Sequence, residues 1–185
     1  AQAGEQNRLT HFFYFQLGAA YERNRQYETA NEIFNKAIKM SPEYHNAMNY
    51  LGYMWADINR NLDEAAKHII RANELSPDNA SYVDSLGWLY FRQGKFTEAL
   101  AELRRAAELI KDEPDSTIHE HIGDTYHQLG QADEARVQWE KSLGILREQV
   151  GKMTAPDAYL IEQLGNVLNK LGQADKAKAA SLRSY

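Results

Sequence analysis

Five glycines that each follow an aliphatic residue recur along the chain at intervals close to 35 residues. They are Gly18, Gly52, Gly87, Gly123 and Gly165, and the intervals between them are 34, 35, 36 and 42 residues. A second small residue lies 12 or 13 residues after each glycine: Ala30, Ala65, Ala99, Ala135 and Ala177. A period in this range indicates stacked structural repeats, none of which can bury its apolar face alone.

Within each repeat the apolar residues follow a helical period. Leu17 and Tyr21 are four residues apart, as are Leu51 and Trp55, and no segment alternates with the period of a strand. The Ser-Pro pairs at residues 41–42 and 76–77 are typical of one helix ending before the next begins. Gly94, Gly130 and Gly172 fit helix C-terminal caps. Each repeat is therefore predicted to be two antiparallel helices joined by a tight turn.

The order of the packing residues resembles that of the tetratricopeptide repeat (TPR) family over nearly the whole chain. The first repeat carries it as Tyr14, Leu17, Gly18, Tyr21, Ala30, Phe34, Ala37 and Pro42. The second carries it as Met48, Leu51, Gly52, Trp55, Ala65, Ile69, Ala72 and Pro77. The resemblance implies an all-α fold, a right-handed α-solenoid of stacked antiparallel helix pairs, in a single domain over residues 1–185.

We expect the five repeats at about residues 11–44, 45–79, 80–115, 116–157 and 158–185. The last is degenerate, because Leu168 stands in place of the aromatic residue and Ser181 in place of the large residue of the second helix. Its second helix, from Gln173 onward, is only weakly amphipathic.

Charge and composition exclude several classes of protein. The net charge is −5, the pI is about 5.7 and no Lys/Arg block is present, which argues against a nucleic-acid partner or an anionic membrane surface. No apolar run approaches the roughly 20 residues of a membrane span, so we expect no direct membrane insertion. The absence of cysteine excludes disulfides and thiolate chemistry. Removal of flanking repeats, a signal or a lipid anchor stays open.

The segment HEHIGDTYH, residues 119–127, is the only candidate for metal or catalytic chemistry. His121, Asp124 and His127 are spaced three apart and drift around the helix, and the segment is not an HExxH motif. No nucleophile elbow, phosphate loop or dinucleotide fingerprint is present. We therefore expect no enzyme activity, no metal site and no cofactor.

In the TPR fold the first helices of successive repeats line a concave groove, and the resemblance places twelve residues of this chain on it. They are Asn46, Asn49, Tyr50, Tyr53, Asp84, Ser85, Trp88, Phe91, Glu120, His121, Asp124 and His127. Trp88 comes one residue, or about 100°, after the packed Gly87, and Tyr53 holds the same place after Gly52. Trp88 either faces the groove as an aromatic anchor or fills the gap between the second and third repeats.

These positions predict a protein interaction scaffold or adaptor that binds a peptide segment of a partner in the groove. Because the groove positions are net acidic, we expect that partner to carry apolar and basic residues. The alternative is an assembly module that self-associates through its ends or convex face, using the apolar HFFYF at residues 11–15 of the N-terminal repeat. MNYLGYMWAD and YVDSLGWLYFRQGKFTEAL are also similar to repeats of bacterial cell-envelope TPR proteins. That similarity implies the envelope or periplasm, with the cytoplasm as the alternative.

Overall fold

The computed structural model describes residues 10–155 and 158–182, and the side chains as far as residue 173. Within these ranges the regular structure is entirely helical. The helices are α1 His11–Arg23, α2 Tyr27–Met40, α3 His45–Asp57, α4 Leu62–Leu75, α5 Ala80–Arg92, α6 Phe96–Leu109, α7 Ser116–Gln128, α8 Ala132–Gly151 and α9 Ala158–Leu182.

The helix ends follow from local sequence chemistry. The side chains of Thr10, Asn79 and Asp115 accept hydrogen bonds from first-turn amides of α1, α5 and α7. Gly94 and Gly130 adopt φ angles of +76° and +75° in the turns after α5 and α7, as expected for C-terminal caps. The two earlier turns reach positive φ without glycine, at Arg25 in the first and at Asn59 and Asn61 in the second.

The chain divides into two compact units, Ala1–Gln93 and Gly94–Tyr185. In the first unit, α1 packs antiparallel to α2 and α3 to α4, while α5 packs on both α3 and α4. Its core includes the fully buried side chains of Phe34, Leu51, Ile69 and Leu89. A Cβ at Gly18 would lie 2.7 Å from the Phe34 ring, so this glycine is what allows α1 and α2 to approach so closely.

In the second unit α7 pairs with α8, while α6 packs on α7 and α9 packs on α8. Its core is formed by Trp139, Leu143, Leu146 and Val167, with Ala135 beside them. The indole of Trp139 lies directly over Gly123, as Phe34 does over Gly18.

The fifth repeat differs from the prediction. Gly172 is not a cap, because α9 continues through it as one helix of 25 residues. A reversal of the chain at Gly172 would lose backbone hydrogen bonds of the helix, and packing of the following segment would have to offset that loss. The following segment, QADKAKAAS, has no large apolar residue for that purpose.

Candidate functional site

The first helices of the repeats are neighbours within the first unit, since α3 contacts both α1 and α5. On α3, the side chain of Asn46 is exposed, and those of Asn49, Tyr50 and Tyr53 are partly buried. Asn49 Oδ1 is buried and accepts no hydrogen bond from the described residues. Tyr53 packs against the core of this unit and keeps part of its ring accessible. Helix α3 therefore offers two amides and one aromatic ring on the predicted groove side.

Trp88 is packed rather than exposed. Only 7% of its surface is accessible, and it belongs to the same core cluster as Trp55 and Leu89. Phe91 stacks on it with ring centroids 4.6 Å apart and planes 6° apart. The guanidinium of Arg92 lies 5.5 Å from the indole centroid, a cation–π distance. Of the two alternatives for Trp88, the structure shows the packed one, with the partly accessible Phe91 between it and the surface.

Three other predicted groove residues are also buried, at 6% accessible surface for Asp84, 3% for Ser85 and 5% for His121. The hydroxyl of Ser85 donates to the backbone oxygen of Ser81, 2.8 Å away on the preceding turn. Little of the side-chain surface of Asp84, Ser85 and His121 is therefore accessible, and their contact with a peptide stays a prediction.

A hydrogen-bonded cluster links α3 to α5, and the sequence reasoning missed it. The hydroxyl of the buried Tyr82 donates to Asn46 Oδ1 and lies 2.7 Å from His45 Nδ1. Asn73 on α4 donates to the backbone oxygen of Tyr82, at 2.8 Å. Burial raises the pKa of Tyr82, so its hydroxyl stays protonated. The cluster fixes the orientation of the Asn46 amide at the groove side of α3.

Two acidic groups of the first unit, Glu22 and Asp57, lie where α1 meets α3. The Tyr50 hydroxyl donates to Glu22 Oε2 at 3.4 Å, and the Tyr50 ring packs edge-on against Phe15. Burial raises the pKa of Glu22; the Tyr50 hydrogen bond lowers it, and the charge of Asp57 adds to the rise. Tyr50 thus helps to hold α1 and α3 together, and Glu22 and Asp57 form an electrostatically coupled acidic pair beside it.

In the second unit, the predicted groove acids Glu120 and Asp124 share one cation. Lys170 of α9 lies 2.6 Å from Glu120 Oε1 and 2.7 Å from Asp124 Oδ2, and Trp139 Nε1 donates to Asp124 Oδ1 at 3.0 Å. Burial lowers the pKa of Lys170, but the two carboxylates outweigh it and leave the pKa above its usual value. These two acids therefore hold α9 against α7, and Lys170 offsets one of their two formal negative charges.

His127 is exposed, and its ring centroid lies 5.6 Å from that of Trp139. His121 is buried, so the side chains of His121 and His127 do not converge on one point. No group of three or more His, Asp or Glu side chains converges on a possible metal position within the part of the chain that the structure describes. Across the same residues, no helix is both long and apolar enough to cross a membrane.

A sequence profile described as the tetratricopeptide repeat matches residues 15–80, 59–114 and 85–145. The chain is 32% identical over 114 residues, 58% of its length, to the TPR repeat-containing protein PA4667 of Pseudomonas aeruginosa. It is 29% identical over 75% of its length to anaphase-promoting complex subunit 3 of Schizosaccharomyces pombe. The chain spans about a fifth of the length of these relatives, 19% and 20% respectively.

Among solved structures, the chain is similar to TTC0263, a thermophilic TPR protein of Thermus thermophilus. The TM-score is 0.69 at 21% identity, covering 89% of this chain and 84% of that one. This likeness confirms the predicted fold class, an all-α solenoid of antiparallel helix pairs.

Proposed function

The chain belongs to the tetratricopeptide repeat family of protein–protein interaction scaffolds, and we propose that it binds a peptide segment of a partner protein along its first helices. The observation that carries this proposal is the groove side of α3. Asn46, Asn49 and Tyr53 lie there at spacings of three and four residues, which places them along one helix face. The amide nitrogens can donate to a peptide backbone, and a rigid tyrosine supplies apolar contact area.

Two buried residues, Trp88 and Tyr82, support this surface without touching the peptide. Trp88 stacks on the partly accessible Phe91, and Tyr82 orients the Asn46 amide. An ordered surface loses little side-chain entropy on binding, which favours affinity. The partner is proposed to carry apolar residues for Tyr53 and Phe91, and basic residues for the acidic pair Glu22 and Asp57.

The test is selection of peptides from a random displayed library on the wild-type protein, followed by affinity measurement on variants. Asn49→Ala/Tyr53→Ala removes one amide and one ring from the groove side of α3. Lys67→Ala/Arg71→Ala is the control, because both residues are exposed on α4 and pair only with Glu64 and Glu74 on the same helix. We expect the groove variant to lose at least tenfold in affinity and the control to keep it. Equal affinity for all three proteins would place the binding elsewhere.

A second candidate function, assembly through the N-terminal repeat, is favoured by one observation. Phe12 and Phe13 on α1 are 56% and 42% exposed, which is high for phenylalanines of a first helix. Sedimentation velocity over a hundredfold concentration range tests this candidate. It predicts a concentration-dependent increase in size that Phe12→Ser/Phe13→Ser abolishes. A constant sedimentation coefficient would remove it.

The relatives support a scaffold in general terms. Anaphase-promoting complex subunit 3 is by its name one component of a larger assembly. We further propose action in a bacterial cell envelope or periplasm, on the similarity of two repeat segments to envelope TPR proteins. Fractionation of a bacterium that expresses the natural protein tests this location, and recovery in the cytosolic fraction alone would contradict it.

A further inference from the structure

Helix α9 carries two apolar stripes, and only one of them is covered. Leu160, Leu164, Val167 and Leu171 recur at helical spacing and pack on the α8 core. One residue further on, Ile161, Gly165, Leu168 and Gly172 recur at the same spacing, rotated by about 100°. Ile161 and Leu168 are 48% and 44% exposed, and no described atom lies within 4 Å of a Cβ built at either glycine. The described residues therefore leave the second stripe open. It is called the α9 stripe below.

The equivalent stripe packs on the second helix in three other repeats, the first, the second and the fourth. Ile161, Gly165 and Leu168 correspond by position to Tyr14, Gly18 and Tyr21 of α1. In those repeats the glycine receives a large side chain from the second helix: Phe34 over Gly18, Ile69 over Gly52 and Trp139 over Gly123. The α9 stripe thus continues an interface that the molecule builds three times, and among the described residues no second helix packs on it.

The residues that follow the α9 stripe do not supply a second helix for it. The chain continues as the same helix to Leu182, and Ser181 stands at the sequence position of Phe34. A glycine inside a helix also destabilises it by about 0.5–1 kcal/mol relative to alanine. At Gly18, Gly52 and Gly123 close helix packing explains the glycine. At Gly165 no contact within the described structure explains the glycine.

We propose that the α9 stripe docks an amphipathic helix of a partner protein. Its chemistry follows from the three built examples: one large apolar residue sits over Gly165, with small residues four positions before and three after it. Ala30, Phe34 and Ala37 form this pattern in α2, and Ala65, Ile69 and Ala72 form it in α4. The α9 stripe itself has no charged residue, and Glu162 and Asn169 border it, so the docked face is apolar with a polar edge. This site is separate from the groove side of α3 and does not depend on the function proposed for it.

The probe is a fluorescent peptide of residues 26–41, the sequence of α2 with its flanking residues. A lactam between Glu32 and Lys36, both exposed on α2 and four residues apart, holds it helical without touching the docking face. Binding is measured by fluorescence anisotropy against the full chain. The peptide with Phe34→Ala is the control ligand, because it lacks the side chain that would fill the space over Gly165.

Two matched protein variants locate the site. Gly165→Leu fills the α9 stripe, and Gly144→Leu makes the same change on α8, where a Cβ also meets nothing within 4 Å. Both replace an exposed helical glycine by a good helix former, so both are expected to fold. The proposal predicts equal binding to wild type and Gly144→Leu, at least tenfold weaker binding to Gly165→Leu, and at least tenfold weaker binding of the Phe34→Ala peptide.

Other results overturn the proposal. Equal binding to all three proteins, or binding to none, means that the stripe does not accept a helix of this kind. If wild type dimerises in sedimentation experiments and Gly165→Leu does not, the occupant is a second copy of the chain. If the peptide binds only after the residues beyond Gly172 are deleted, the occupant is the chain's own C-terminal segment.

Discussion

Replacing Gly52 by alanine is expected to destabilise the protein, although alanine is the better helix former. A Cβ at this position would lie 2.6 Å from Ile69 Cγ1, 2.9 Å from the backbone oxygen of Ala65 and 3.2 Å from the backbone nitrogen of Ile69. Ordinary contacts of this kind begin near 3.4 Å, and two of these atoms are backbone of α4. Accommodating the methyl group therefore requires α3 and α4 to move apart by several tenths of an ångström.

The expected magnitude is the difference between two opposing effects. Overpacking a well-packed core costs about 1–3 kcal/mol, and we take the upper part of that range because backbone must move. Replacing glycine by alanine inside a helix returns about 1 kcal/mol. The net loss in the free energy of unfolding is then about 1–2 kcal/mol, or roughly 2–8 °C in Tm for a chain of this size. Gly18→Ala should lose less, because the nearest atoms belong only to the Phe34 ring.

The assay is urea unfolding followed by circular dichroism at 222 nm, with Gly144→Ala as the control. Gly144 is exposed on α8 with nothing within 4 Å of its Cβ position, so this change should raise the unfolding free energy by about 0.5–1 kcal/mol. Replacing glycine by alanine is thus expected to lower the free energy of unfolding at residue 52 and to raise it at residue 144. If Gly52→Ala stabilised the protein as much as Gly144→Ala does, close approach of α3 and α4 would not be what requires the glycine.

Three further predictions use the same unfolding measurement. Trp88→Ala should cost about 3–5 kcal/mol because the side chain is buried, whereas Tyr53→Ala should cost under about 2 kcal/mol; equal losses would contradict the packed position of Trp88. Lys170→Met should cost about 1–2 kcal/mol at neutral pH by leaving Glu120 and Asp124 without their cation. The pKa of Lys170 is raised above 10.5 in the folded state, so its contribution to stability is complete below pH 10.5 and is lost as the pH rises above that value. A difference in unfolding free energy between Lys170→Met and wild type that vanished by pH 8 would refute the pairing. Tyr82→Phe should cost about 1 kcal/mol through the lost bonds to Asn46 and His45, and an unchanged midpoint would show that these bonds contribute no net stability.

The sequence was sufficient to predict the helix pairs because their signals are local. The glycine that follows an aliphatic residue and the alanine 12 or 13 residues later mark the two helices of one repeat, and the structure packs those helices closely at Gly18, Gly52 and Gly123. Gly94 and Gly130 were predictable as caps for the same reason. Gly172 has the same local signal but lies inside α9. Whether a turn forms there depends on what the next segment can bury, which a cap motif does not contain.

The groove was less predictable because exposure is decided by neighbouring repeats. Tyr53 and Trp88 each follow the glycine of their repeat by one residue, yet the structure leaves Tyr53 partly accessible and buries Trp88. Trp88 lies in one core cluster with Trp55 of the preceding repeat, and only 7% of its surface is accessible. The two ion-pair partners of Lys170 lie 46 and 50 residues away from it in the sequence. No periodicity in the sequence encodes such a pairing.

The distribution of charge limits the surfaces to which a basic partner would bind. Counting residues gives an acidic groove along both units, but Glu120 and Asp124 already share Lys170, and Asp84 is buried. In the first unit Glu22 and Asp57 repel one another, which contributes to the raised pKa of Glu22, and Arg23 only partly offsets this. An added cation there relieves repulsion, whereas one near Lys170 meets two carboxylates that already share a cation. For the partner proposed above, we therefore expect the electrostatic preference for basic residues at Glu22 and Asp57, where α1 meets α3.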